Sequence, residues 1–140
     1  MKETEKAKSL LKDKVTFAAV GKKGIYTSEK RGVKPILDKI DADPGFFDGA
    51  SVADRVIGKA AAMLLEKYGV AEIYAQVTSE YAAAYLENKS VKLTYEEKTD
   101  FIMNRSGTDM CPMEKTVLNV NNADEGEILI KNKIKAMTKG

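Results

Sequence analysis

Hydrophobic and polar positions along the chain divide it into seven segments before any chemistry is considered. Ala7, Leu10 and Leu11 fall on one side of a short N-terminal helix that closes over Ser9 to Lys14. Val15 to Val20 and Ile25 to Thr27 are apolar runs joined by Gly21-Lys22-Lys23-Gly24, the pattern of a β-hairpin. Pro35 suits a helix start, with Ile36, Leu37 and Ile40 as its inner face and an end near Asp43-Pro44-Gly45. The strongest helical signal runs from Val52 to about Tyr68: Val52, Val56, Ala60 and Met63, beside Ala53, Ile57, Ala61 and Leu64, form a broad apolar stripe. Ser51 would be its N-cap, Asp54 the capping-box acid, and Gly69 its terminator. Ala71 to Val77 reads as a buried strand, Ser79 as the cap of a helix through Leu86, and Val91 to Tyr95 as a further strand.

Strand, helix and strand in succession predict parallel pairing in the middle of the chain, next to an antiparallel opening hairpin. The expected class is α/β, a mixed sheet with helices packed on its faces in two or three layers. One domain is expected over residues 1–140, with an N-terminal helical extension over 1–14 and a C-terminal helix over 121–140. No internal repeat or low-complexity stretch interrupts it.

Composition narrows the chemistry more than the fold. The 140 residues include no histidine and one cysteine. Imidazole catalysis, an intramolecular disulfide and a multi-cysteine zinc site within one chain are thereby excluded. The 23 basic and 21 acidic residues leave a net charge of +2, and the lysine-rich ends alternate with acids or apolar residues. That is the signature of solvated helix faces, so nucleic-acid binding is disfavoured. No apolar run nears the roughly 18 residues of a membrane span, and no signal-peptide pattern opens the chain. A cytoplasmic protein is expected.

Chemistry concentrates in Asn104 to Glu114, which carries two acids, a base, a thiol, two hydroxyls and an amide. Pro112 fits the first position of a helix, which makes Cys111 the N-cap and Glu114 the third helical residue. A cysteine there would face free backbone N–H groups, as activated thiols do, although Glu114 opposes the thiolate and no histidine serves as base. The alternative is a small apolar residue packed at a helix start. Asp54 is likewise either a structural cap or a carboxylate presented from a helix N-terminus behind Gly49-Ala50-Ser51.

Gly32-Val33-Lys34-Pro35, the run from Gly49 to Ala62, and Asn104-Arg105 with Cys111-Pro112-Met113-Glu114 together resemble the prokaryotic domain-of-unknown-function family numbered 1893. The resemblance spans roughly Phe17 to Val120. It implies a cytidine-deaminase-like fold, a three-layer α/β/α arrangement. Zinc deaminases open one helix with a His or Cys and a catalytic Glu, and the next with a cysteine pair. Here the first such helix offers Asp54, and the one opening at Thr78-Ser79 has no cysteine. No metal or other cofactor is expected. What the resemblance leaves is a pocket relined by Asp54, Lys59, Ser79 and the Asn104–Glu114 segment.

Two functional readings stand. In one, the chain binds a small polar ligand, nucleotide-like by analogy of fold, through Ser51, Lys59, Ser79, Asn104, Arg105 and Glu114. In the other, it is an enzyme using Cys111 as nucleophile or Asp54 as general base, with Lys59 or Arg105 holding an anionic substrate. Contact of the Asn104–Glu114 surface with a partner chain, and homo-oligomerisation, remain open.

Overall fold

Five strands form one sheet in the order β2-β1-β3-β4-β5. The computed structural model describes residues 2–138. Along the chain the elements are α1 (Glu3–Ser9), β1 (Phe17–Gly21), β2 (Gly24–Ser28), α2 (Lys34–Ala42), β3 (Ser51–Ile57), α3 (Lys59–Lys67), β4 (Glu72–Ser79), α4 (Glu80–Leu86), β5 (Lys92–Thr99), α5 (Pro112–Thr116) and α6 (Ala123–Thr138). β1 pairs antiparallel with both β2 and β3, whereas β3, β4 and β5 run parallel. The sheet is therefore mixed, and the hairpin turns through Lys22-Lys23 between the paired Gly21 and Gly24, the latter at φ 119°.

The principal correction falls on residues 51–57. The helix expected from Val52 is a strand up to Ile57, and the helix proper begins at Lys59. β3 is a central strand whose first four residues are buried on both faces, Val52 entering the larger apolar cluster and Ala53 the smaller. A strand buried on both sides reads as a continuous apolar run, and its residues also fit a helical stripe. Ser51 and Asp54 are therefore not a capping pair. Gly69, at φ 90°, ends α3 as expected.

Two apolar clusters sit on opposite faces of the sheet. The smaller joins Ala18, Val20, Ala53 and Tyr74 to Ala7, with Leu10 and Leu11 against it. The N-terminal helix thus ends at Ser9 and packs onto β1, β3 and β4 rather than extending away from them. The larger cluster holds Phe17, Val52, Ile57 and Ile73 against α2, α3, α4 and α6, with Met63, Leu64 and Leu65 fully buried at its centre. α6 occupies most of the expected C-terminal helix; residues 1, 139 and 140 of the expected terminal segments lie outside the described residues. Among the described residues no helix is long and apolar enough to cross a membrane.

Candidate functional site

Parallel strands β3 and β4 end side by side, and each leads directly into a helix. α3 starts after Gly58, which has no side chain to cap it, and α4 starts at Ser79, whose Oγ accepts from Ala82 N at 3.1 Å. The missing cap of α3 is supplied from 55 residues away. Glu114 Oε2 accepts from Lys59 N at 2.7 Å and from Ser79 Oγ at 2.9 Å. Its Oε1 accepts from Ile102 N, also at 2.7 Å. One carboxylate, only 1% exposed, therefore fastens two helix starts and the segment that follows β5.

Three donors surround Glu114, and the positive end of α3 faces it. Lys59 is nearby and also buried, its Nζ donating to Leu118 O at 3.2 Å and Asn121 Oδ1 at 3.3 Å. Burial lowers the Lys59 pKa from its usual value, opposed by the charge of Glu114. The close fit depends on Gly58: an added Cβ would stand 2.9 Å from Glu114 Oε2.

Of the residues singled out in the sequence, Lys59, Ser79 and Glu114 meet at this junction. Cys111 precedes α5 at the N-cap position, but its side chain makes no capping hydrogen bond and packs against the larger apolar cluster. The expected approach of sulfur to free N–H groups is absent. Asp54 does not reach the junction, because four residue steps of extended chain, about 13 Å, separate it from Gly58. It is buried within β3 and accepts from Val56 N at 3.4 Å. Burial pushes its carboxyl well above the usual range, weakly countered by the N–H groups of Val56 and Arg55 and by the Arg55 charge. The Arg55 guanidinium itself turns to Val15 O, Gln76 and Asp13 O. Ser51 opens β3 at the other end of the sheet, opposite Val20 and Glu72.

Asn104 and Arg105 belong to a self-contained surface turn. Asn104 Oδ1 accepts from Thr108 N at 3.0 Å and from Ser106 Oγ at 3.2 Å, and Asn104 N donates to Asp109 O at 2.8 Å. Arg105 is exposed. Their polar density is that of an Asn-stabilised turn. The sequence pattern assigned Gly58 no role of its own; a glycine directly before a helix with no capping side chain was the available signal.

Residues 5–134 match the family described as TM1506, Domain of unknown function (DUF1893). The chain belongs to this family. The DUF1893 chain is also similar to a solved structure, a DUF1893 family protein (TM1506) from Thermotoga maritima. The two are 29% identical with a TM-score of 0.76, over 87% of this chain and 80% of that one. No curated protein matches the chain.

Proposed function

We propose that this DUF1893 chain is a non-catalytic binding protein with a cytidine-deaminase-like three-layer arrangement, α1 on one face of the sheet and the remaining helices on the other. The observation that carries this reading is the closure of the helix-start junction by Glu114. In a zinc deaminase that place holds a metal and an activated water. The residues here do not fit a zinc ion: a tetrahedral site needs three or four N, S or O ligands, and the one carboxylate present already accepts from three protein donors. No cluster of three or more His, Cys, Asp or Glu side chains suited to a metal occurs among the described residues. Catalysis by Cys111 or Asp54 finds no support either, since neither has a base or a charged partner aligned with it.

The ligand proposed is small and polar, of nucleoside size, held outside the junction in the groove between α4 and β5. That groove encloses about 450 Å³, within the usual range for small-molecule sites. Ala83, Ala84, Leu93 and Tyr95 line it, beside the Glu80–Lys98 ion pair at 3.1 Å. A cytoplasmic location is part of the same proposal.

Titration of labelled protein with nucleosides and nucleoside monophosphates tests it. The expected result is saturable amide shifts at Ala83, Ala84 and Tyr95, with no ammonia released from cytidine or adenosine. Ammonia release that Ser79→Ala abolishes, or shifts centred on Ile102 and Cys111 alone, would overturn the proposal.

A further inference from the structure

β5 is an eight-residue strand paired on one side by β4 and, among the described residues, on the other side by nothing. Lys92 N donates to Ala71 O at 3.1 Å, so the even-numbered residues of β5 turn their N–H and C=O groups inward. Leu93, Tyr95 and Glu97 then turn theirs outward, an open row of donors and acceptors. Folded proteins usually blunt such an edge with proline, a bulge, a short strand or charged side chains, and of these β5 has the charges, at Lys92, Glu96, Glu97 and Lys98. β5 is long, contains no proline, and exposes Tyr95 at 42%.

The side chains along this edge are complementary to themselves. We infer that a second copy of this chain pairs its β5 antiparallel with this one, about a two-fold axis through Thr94, so that Lys92 faces Glu96 and Leu93 faces Tyr95 across the interface. The outward-turned Leu93 and Tyr95 become the hydrogen-bonded pair, and Thr94 faces Thr94 as the non-hydrogen-bonded pair. Each apolar and each opposite-charge pairing occurs twice by symmetry, the arrangement of an isologous dimer.

Registers with the axis moved toward the C-terminal end of β5 are worse by the same rule, and an axis at Leu93 sets Lys92 against Thr94 and so lacks the opposite-charge pairs. Moving the axis to Tyr95 sets Lys92 against Lys98, and moving it to Glu96 sets that acid against its own copy; like charges directly opposite are destabilising. Glu96 is held in place for the favoured register, its Oε2 accepting from Tyr74 Oη at 2.9 Å. The occupant of the edge is thus a second DUF1893 chain rather than an unrelated peptide, because the charges and apolar residues of β5 match β5 itself. The contact is one strand pair, so the dimer is weak and concentration-dependent.

Sedimentation velocity of the whole chain across a hundredfold range of concentration tests the proposal, with circular dichroism to show that each variant folds. Reversible dimerisation is expected for the natural sequence. Lys92→Glu and Glu96→Lys should each weaken it about tenfold, since each turns two attractive pairs repulsive, and the double variant should restore it. Hydrogen exchange at Leu93 and Tyr95 should slow at high concentration, a reading that needs no variant. A monomer throughout the range, a double variant as weak as the singles, or exchange at those amides that ignores concentration would overturn the inference.

Discussion

Three carboxylates lie almost completely buried among the described residues, Glu114 at 1% and Asp54 and Glu127 at 6% exposure, and the first two live in opposite circumstances. Glu114 comes from a five-residue helix, reaches across to two other helix starts, and accepts three short hydrogen bonds. Asp54 sits on a central strand with a long bond of 3.4 Å from Val56 N, and the neighbouring Arg55 guanidinium hydrogen-bonds to Val15 O, Gln76 and Asp13 O instead. Burial pushes the Asp54 carboxyl well above its usual range, whereas three donors converge on the oxygens of Glu114. A buried acid is therefore not a role in itself. Glu114 organises the fold, whereas Asp54 is tolerated by it.

Removing Glu114 should produce the largest effect. Glu114→Ala leaves Lys59 N, Ser79 Oγ and Ile102 N without their acceptor, and each buried donor left unsatisfied costs about 1–3 kcal/mol. Glu114→Gln keeps the shape but turns an amide N–H₂ toward a donor, and should cost roughly 1–3 kcal/mol. Urea denaturation followed by circular dichroism measures both. If Glu114→Ala unfolds at the same midpoint as the natural sequence, the junction is not what fastens α3 to α4.

Asp54→Asn should move stability the other way. The folded pKa of Asp54 lies above its unfolded value, so the folded state favours the protonated acid. Its contribution is fully present below the unfolded pKa and is lost as pH rises through the folded one. Asn keeps the size without the ionisation, so the variant should gain on the order of 1–2 kcal/mol at neutral pH. The advantage should shrink as the pH falls toward 4. Thermal midpoints at pH 4.5 and 7.5 decide it, and a loss of stability at pH 7.5 would give Asp54 a partner that its surroundings do not reveal.

Gly58→Ala sharpens the contrast from the backbone side. The φ of −95° at Gly58 suits any residue, so the glycine is required by contact and not by conformation. With an added Cβ at 2.9 Å from Glu114 Oε2, the carboxylate must shift against three bonds at once. A cost of about 1–3 kcal/mol is expected, and in the Glu114→Ala background most of it should vanish. Equal costs in both backgrounds would separate the glycine from the carboxylate.

Much of this fold was legible where one face of an element is exposed. The hairpin glycines, Pro35, Ser79 as a cap, and Gly69 as a terminator all act locally, and each stands where the chain pattern put it. β3 was not legible as a strand because its two covered faces erase alternation, and Val52, Ala53, Val56 and Ile57 happen to continue into the stripe of α3. That single misreading displaced the site: with the helix start set at Ser51, Asp54 took the place that belongs to the residues after Gly58. Lys59, Ser79 and Glu114 were singled out, but their meeting depends on parallel β3 and β4 ending together, a non-local fact. Asn104 and Arg105 attracted notice for polarity that a surface turn consumes internally.

The smallest effect expected is at Cys111, and it tests the same distinction between a group that is held and one that is only accommodated. A thiol at a helix start resembles an activated nucleophile when backbone N–H groups surround the sulfur. Here α5 has only five residues, the sulfur caps none of them, and it rests on the apolar cluster shared by α3 and α6. Cys111→Ser trades a small apolar contact for a hydroxyl able to cap the helix, so the two changes oppose each other and stability should move by less than about 1 kcal/mol. Reaction of the natural chain with a thiol reagent should accelerate when urea unfolds it, because unfolding frees the half-buried sulfur from its packing. The comparison to make is between native and unfolded rates at one pH, with Cys111→Ser as the blank. A native rate above the unfolded one would mean that the fold activates this thiol, and would return Cys111 to the company of Glu114 as a residue with a chemical task.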